Sequence, residues 1–247
     1  MSRAVIVACL LAACPVPRAG AGNIVMTVQV GNGPVVDLAT FGGIGTGGGY
    51  AVSDVAIAAL NAYLAGAGSE YRFAGSGPGA TVLGGASNNP GGPAGGLLTL
   101  SGTVFSVGAG VGSLALTETE AGFLAPAGPA GFLDSSSTGN FAGEAAGAGH
   151  LAESGYNAID TGLYAVLSPG GVKGAADASA IGLFPVSEPY TLTDEIIFGL
   201  TPGTAADPIV DGFSVTGVVE AVYEPGGAAL LSIGVMLAGV YCIRRRG

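Results

Sequence analysis

Between residues 24 and 222 the chain alternates apolar and polar positions in short runs. Side chains that repeat every second residue point to one face of a strand, so this spacing is typical of half-buried β-strands. Gly, Pro, Asn and Ser separate the runs, as expected for turns. The runs are Ile24–Val30, Leu97–Val107, Leu114–Glu120, Gly162–Leu167, Tyr190–Leu200 and Gly212–Val222. The pattern predicts a mainly β fold, an antiparallel β-sandwich or jelly-roll-like body, over residues 22–222.

One segment, Ser53–Ala65, has helical rather than strand spacing. Its apolar positions recur every three to four residues, with Ser53 or Asp54 as the expected N-cap and Gly66 as the expected C-cap. These apolar positions are Val55, Ala59, Leu60, Tyr63 and Leu64. We expect one short helix over a sheet edge or the open end of the sandwich. The glycine-rich stretches Thr40–Gly49 and Gly75–Gly96 are expected to be loops.

The N-terminus has the three parts of a secretory signal peptide. Arg3 precedes the apolar run Ala4–Ala13, two prolines follow, and small residues end the segment. Ala19 and Ala21 occupy positions −3 and −1 of the predicted cleavage site, so residues 1–21 form the signal peptide and Gly22 begins the mature chain. Leu11-Ala12-Ala13-Cys14 also resembles a lipobox, which makes lipidation of Cys14 the alternative processing route.

The C-terminus, residues 223–247, combines an apolar run with a basic end. Gly227–Ile243 spans roughly 25 Å as a helix, which is the short end of the range for a transmembrane helix. Arg244, Arg245 and Arg246 follow it and are expected to stop transfer and remain cytoplasmic. A permanent tail anchor is the simplest interpretation of this segment.

Glu224-Pro225, the apolar helix and the terminal arginines together resemble the PEP-CTERM sorting signal. Tyr223 stands where that motif has its first proline. The resemblance implies cleavage near Glu224 and Pro225 by the membrane protease exosortase. It also implies an inner-membrane precursor, then release to the cell surface or extracellular matrix of a Gram-negative bacterium, in the context of exopolysaccharide and biofilm. The segments from Phe123 to Ser137 and from Pro189 to Thr193 resemble the bodies of certain PEP-CTERM proteins, which favours a β-sandwich.

Charge and cysteine content exclude several classes of protein. The chain has 17 acidic and 7 basic residues, so nucleic acid is not an expected partner. Between Gly22 and Glu224 only Arg72 and Lys173 oppose the 17 carboxylates, so the formal charge there is 2 − 17 = −15. We expect this charge on the surface, where it favours solubility among acidic polysaccharides. The three cysteines lie in the two terminal segments, so the body has neither disulfides nor a thiolate metal site.

Residue types that could support catalysis occur without a catalytic motif. His150 is the sole histidine and is expected in a surface loop; no Gly-x-Ser-x-Gly elbow accompanies it. The spacing Gly43 to Gly48 matches a dinucleotide-binding fingerprint but lacks the strand–turn–helix context. Two carboxylate pairs occur, Glu118 with Glu120 and Asp194 beside Glu195. Glu118 and Glu120 share one face of a predicted strand, which is expected to be a solvated outer face. We therefore expect no catalytic residue, no cofactor and no metal.

These features favour an exported, non-enzymatic protein of the cell surface or matrix, with exosortase as its processing partner and exopolysaccharide as a further one. The alternatives are a secreted carbohydrate-active enzyme that uses paired carboxylates, a glycan-binding module, and a tail-anchored or lipidated periplasmic protein. The absence of Trp counts against both sugar-related alternatives, because sugar sites often stack rings on indoles.

Overall fold

The computed structural model describes residues 23–46, 48–75, 83–89, 91, 95–108, 113–124, 130–142, 148–168, 174–185, 189–200 and 208–222. Within these residues lie fifteen β-strands, one α-helix and the short 3-10 helix Leu38–Phe41. The strands are β1 Val25–Val30, β2 Val35–Asp37, β3 Ile44–Thr46, β4 Gly49–Ala51, β5 Tyr71–Phe73, β6 Leu83–Ser87, β7 Gly96–Ser106, β8 Leu114–Phe123, β9 Ala130–Ala142, β10 Gly149–Tyr156, β11 Ile159–Asp160, β12 Tyr164–Leu167, β13 Gly174–Pro185, β14 Tyr190–Phe198 and β15 Ile209–Val222. The helix, α1, is Asp54–Gly66.

The strands form two sheets in which every named pair is antiparallel. Sheet A has the order β11-β10-β14-β8-β1-β2, with β12 also paired to β10. Sheet B has the order β13-β9-β15-β7-β6-β4-β3, with β5 also paired to β7. Side chains of β9 in sheet B touch side chains of β10 in sheet A, so the sheets face each other. The prediction of a mainly antiparallel β protein is confirmed, and the arrangement is consistent with a β-sandwich.

The core lies between the two sheets and follows the alternation of the sequence. Burial alternates without a break along β14 and along most of β15. Each buried Leu, Ile or Phe contributes about 1.5–3 kcal/mol relative to an exposed position. Fully buried examples from both sheets are Leu98, Leu100, Leu114, Leu116, Ile196, Phe198 and Val215. The same inward phase also carries several polar residues, which form the candidate site below.

Helix α1 starts where the sequence predicted it. The Ser53 hydroxyl accepts a hydrogen bond from the N–H of Ala56 at 3.3 Å, as an N-cap does. The helix contacts β5, and Asn61 forms two 2.8 Å hydrogen bonds with the backbone N–H and carbonyl of Phe73. α1 therefore packs beside the short strand β5, which pairs with β7.

Several local predictions are wrong. The helix extends through Gly66, and Ala67 is the C-cap. Of its predicted apolar face, Leu60 and Leu64 are buried, whereas Ala59 is exposed and Val55 is 81% exposed. Ala56 and Ile57 complete the buried face instead. The predicted loop 75–96 contains β6, and the predicted loop 40–49 contains β3 and the start of β4. These short strands are not predicted because they are rich in small residues. Gly and Ala lack the β-branched and aromatic side chains that indicate a strand in a sequence.

Both predicted terminal segments lie outside the described residues. Among the residues that are described, no helix combines the length and apolar character needed to cross a membrane.

Candidate functional site

A layer of polar side chains lies between the sheets, where apolar side chains are the rule. Its members share an inward position on a strand and have almost no exposed surface. They are Glu118 and Glu120 on β8, Ser135 and Ser137 on β9, His150 and Ser154 on β10, Asp194 on β14, and Asp211 on β15. Hydrogen bonds join six of them, all except the two glutamates, into two networks, and each network includes one serine of β9.

The first network places a serine, a histidine and an aspartate in line. The Ser137 Oγ lies 2.8 Å from Nε2 of His150, and Nδ1 of His150 lies 2.7 Å from Oδ2 of Asp211. This is the order of groups in a Ser–His–Asp catalytic triad. The residues come from β9, β10 and β15, so the network joins sheet A to sheet B.

Local packing holds the imidazole of His150 in place. Its ring contacts Phe141 at a centroid distance of 6.1 Å and Phe198 at 6.3 Å. Gly139 provides the space, because a Cβ there would lie 3.1 Å from Cε1 of His150 and would overlap the Phe141 ring. A larger residue at position 139 would displace the histidine.

The direction of the hydrogen bonds differs from that of a working triad. The single hydroxyl proton of Ser137 can be donated to the backbone carbonyl of Ser214, which lies 2.8 Å away and can only accept. Oγ then accepts from an Nε2–H of His150. A nucleophilic serine requires the opposite direction, in which an unprotonated Nε2 takes the hydroxyl proton.

No substrate can reach these groups in the described conformation. The side chains of His150 and Asp211 have zero exposed surface, and Ser137 is 1% exposed. A catalytic serine must contact the scissile carbonyl, which this buried serine cannot do. The network is instead suited to joining the two sheets. A histidine and an aspartate that bridge two layers also fix their relative position.

The second network is a chain of hydroxyl groups that ends on a carboxylate. Ser154 donates to Oδ1 of Asp194 at 2.6 Å, so its oxygen accepts from Ser135 at 2.7 Å. Ser135 in turn accepts from the Tyr164 hydroxyl at 2.8 Å. All three hydroxyl protons can therefore point toward Asp194, an arrangement in which each bond strengthens the next. The backbone N–H of Gly217 also donates to this carboxylate, at 3.2 Å.

Glu118 lies beside Asp194 and lacks comparable partners. The two residues are directly opposite on β8 and β14, and both side chains have zero exposure. Neither carboxyl oxygen of Glu118 has a hydrogen-bond partner. Burial, and then the charges of Asp194 and Glu120, raise the pKa of Glu118 to about 10. Glu118 is therefore a neutral carboxylic acid at pH 7.

Burial also raises the pKa of Asp194, to about 7, although the hydrogen bonds from Ser154 and Gly217 lower it in part. Burial likewise raises the pKa of Glu120, and the nearby polar groups of Ser87 and Asn89 lower it. No bond to either carboxyl oxygen of Glu120 meets hydrogen-bond geometry, so we regard those two groups as weak partners. The interior thus favours the protonated form of carboxyl groups on β8 and β14.

Two glycines on sheet B leave space for carboxyl groups that extend from sheet A. A Cβ at Gly217 would lie 2.6 Å from Oδ1 of Asp194 and 3.0 Å from Oγ of Ser154. A Cβ at Gly85 would overlap the carboxyl group of Glu118. Real Cβ atoms do not approach so closely, so these two positions require glycine while the carboxyl groups keep their present places.

Two surface cavities lie near the networks, and neither has a carboxylate in its lining. The first, of about 320 Å³, is lined mainly by apolar residues of β10, β12 and β14, among them Leu151 and Leu167. His150 also lines it, but the His150 side chain has no exposed surface. The second, of about 240 Å³, lies over β6 and β7, where Thr99 and Ser101 line it. A glycosidase needs two carboxyl groups that both face the substrate, and these cavities do not provide them.

The structure corrects two predictions about these residues, on His150 and on the pair Glu118 and Glu120. His150 is buried on β10 instead of lying in a surface loop. Glu118 and Glu120 face the interior instead of solvent. Of the pair Asp194 and Glu195, the first is buried and the second lies on the outer face.

The expectation that the full −15 charge lies on the surface is also wrong, because several carboxyl groups are buried. These are Glu70, Glu118, Glu120, Asp194 and Asp211. The Gly43–Gly48 stretch contains β3 and leads into β4, so no helix begins directly after these glycines as it does in a dinucleotide-binding site.

No group of three His, Cys, Asp or Glu side chains within the described ranges could hold a metal ion. The predicted processing residues are not among those ranges. They are Cys14, Ala19, Ala21 and Gly22 at the N-terminus, and Tyr223, Glu224, Pro225, Arg244, Arg245 and Arg246 at the C-terminus.

Fold and site together define a class: a two-sheet antiparallel β protein whose layers are joined by buried polar networks. No known family model matches the chain, and no curated protein matches it.

Proposed function

We propose that this chain is an exported, non-enzymatic protein of the cell surface or extracellular matrix of a Gram-negative bacterium. Its precursor is held in the inner membrane by the C-terminal segment and is cut by an exosortase-type protease near Glu224 and Pro225. Exopolysaccharide is the environment in which the released body acts, as a structural or interacting component.

One structural observation supports the non-enzymatic part. The sole histidine and its serine and aspartate partners are enclosed between the sheets, with no exposed side-chain surface on His150 or Asp211. The Ser137 hydroxyl donates its hydrogen bond to a backbone carbonyl. This arrangement favours a structural role, in which the buried polar groups stabilise the fold.

The export part rests on the two terminal sequences. Arg3 with a short apolar run and small residues at Ala19 and Ala21 matches a signal peptide. Glu224-Pro225, a short apolar run that contains three glycines, and the three arginines resemble a sorting signal. The glycines lower both helix propensity and buried area, which suits a temporary anchor better than a permanent one.

Intact-mass analysis of the protein from cells and from medium tests the export part. The mature chain should begin at Gly22 and lack the terminal arginines. Replacing Glu224 and Pro225 by alanine should cause an uncleaved precursor to accumulate in the inner membrane. If wild-type protein from cells keeps Arg244–Arg246 at full stoichiometry, it is a tail-anchored protein instead. Palmitate labelling of Cys14 would exclude a start at Gly22.

A chromogenic ester assay tests the non-enzymatic part. The wild-type chain and the Ser137→Ala variant should give the same rate as buffer. A wild-type rate above buffer that Ser137→Ala abolishes would mean that the network opens and acts as a hydrolase.

A further inference from the structure

Sheet B ends in a long strand with one unpaired side. Within the described residues β13 has only β9 as a partner, and it runs for 12 residues, or about 40 Å. The other sheet edges are short: β2 and β3 have 3 residues each, β11 has 2 and β12 has 4. Exposed long edges are sites at which another strand can add.

The second half of β13 is the more accessible part. β12 lies against β13, and Tyr164 of β12 reaches Ser135, whose cross-strand partner on β13 is Ala180. The segment after Ala180 extends past this contact. There Ile181 is 67% exposed and Leu183 is 77% exposed.

The exposed pair lies on the outer face of sheet B, next to one apolar and one acidic residue of β9. Leu183 lies opposite Phe132, which is half-buried, and Ile181 lies opposite Asp134. On β15, Glu220 is the residue opposite Phe132. The apolar surface at this edge therefore consists of Ile181 and Leu183 with Phe132 behind them, and acidic residues bound it.

We propose that this edge is the interface with a second copy of the chain, through antiparallel pairing of β13 with itself over Ser179–Pro185. A two-fold axis near Gly182 would place Ile181 of one copy opposite Leu183 of its partner. An antiparallel strand is its own complement under such an axis, so each residue pair occurs twice.

The charges on the strand support this register. Asp177 is the one charged residue of β13, and it lies outside the paired segment, so no carboxylates face each other directly. The remaining charge on the two copies is negative and repulsive. Association should therefore strengthen with salt, which screens charges beyond about 10 Å at 0.1 M. The interface does not depend on export and stands apart from the proposed function.

A cysteine trap at Gly182 tests the pairing directly. A Cβ at Gly182 meets nothing within 4 Å, so the substitution should be tolerated. Directly paired antiparallel residues have Cα atoms about 4.5–5.5 Å apart, which is within disulfide range. Full-length Gly182→Cys, with Cys9, Cys14 and Cys242 changed to serine, should form a linked dimer under oxidising conditions. Gly108→Cys in the same background is the matched control, because a Cβ there is equally unobstructed.

Sedimentation of the full chain gives the second measurement. The wild type should dimerise with increasing concentration and salt. The double substitution Ile181→Lys and Leu183→Lys should raise the dissociation constant at least tenfold, while Val55→Lys on the 81% exposed helix position should not. A wild-type monomer at every concentration, or no more cross-linked dimer from Gly182→Cys than from Gly108→Cys, would overturn the proposal.

Discussion

Glu118→Gln should make the protein more stable at neutral and alkaline pH. The folded pKa of Glu118, about 10, lies far above its ordinary value of 4.5, because the carboxyl group is buried beside Asp194. The folded state therefore keeps a proton that the unfolded chain loses. The stability associated with this proton is fully present below pH 4.5 and decreases as the pH rises toward 10.

The magnitude follows from proton linkage. Each pH unit within this window costs the folded state about 1.4 kcal/mol. Between pH 5 and pH 8 the wild type should lose about 4 kcal/mol of unfolding free energy through Glu118 alone. Gln has nearly the same shape and no proton to lose, so the unfolding free energy of the variant should not decrease with pH through this position. The difference between variant and wild type should grow by about 4 kcal/mol over that range.

Urea denaturation at pH 5, 6, 7 and 8 measures the effect. Tyrosine fluorescence is a suitable signal because the chain has 8 Tyr and no Trp. Glu220→Gln is the matched control: it makes the same chemical change at an exposed position of β15 and should follow the wild type. If Glu118→Gln also follows the wild type between pH 5 and pH 8, the carboxyl group is ionised inside the fold and the reasoning is wrong.

Three further predictions concern the networks and the tail. His150→Ala should lower the unfolding free energy by about 3–5 kcal/mol, because it leaves the carboxyl group of Asp211 buried without its partner; in a double-mutant cycle, adding Asp211→Leu should recover part of this loss. Gly217→Ala should destabilise by about 1–3 kcal/mol in thermal or urea unfolding, because its Cβ would overlap Asp194. Tyr223→Pro should speed loss of the C-terminal arginines in a pulse-chase experiment, and an unchanged rate would mean that the proline is not needed.

The strands that can be predicted from the sequence are those in which apolar residues recur at every second position. β14 and β15 carry Leu, Ile, Val or Phe at most of their inward positions, so their period is visible. β9 lies inside sheet B, between β13 and β15, but cannot be identified in this way, because its inward residues include Ser135, Ser137 and Gly139. The rule that inward residues are apolar does not apply to a strand that contributes hydroxyl groups to a buried network.

The buried carboxyl groups did have a signal in the sequence. Leu114, Leu116, Glu118 and Glu120 share one phase of β8, so the two glutamates continue the inward face. The charge of the two glutamates argues against this inward position, because an isolated buried carboxylate is costly. That cost is avoided when the carboxyl group keeps its proton. Whether Glu118 keeps its proton depends on its neighbours in the folded structure, which the sequence alone does not reveal. The partners of His150 on β9 and β15 also come from distant parts of the chain.

The order of strands within the sheets has a consequence for how the chain folds. β15 lies between β9 and β7, and β14 lies between β10 and β8. Until these last two strands are available, each sheet consists of two separate pieces, and sequence-distant pairing of this kind is slow. Along the proposed export route the body would thus cross the membrane before either sheet can close. Ile209–Val222, which closes sheet B, ends directly before the proposed sorting signal, so completion of the fold and exposure of the cleavage site would coincide.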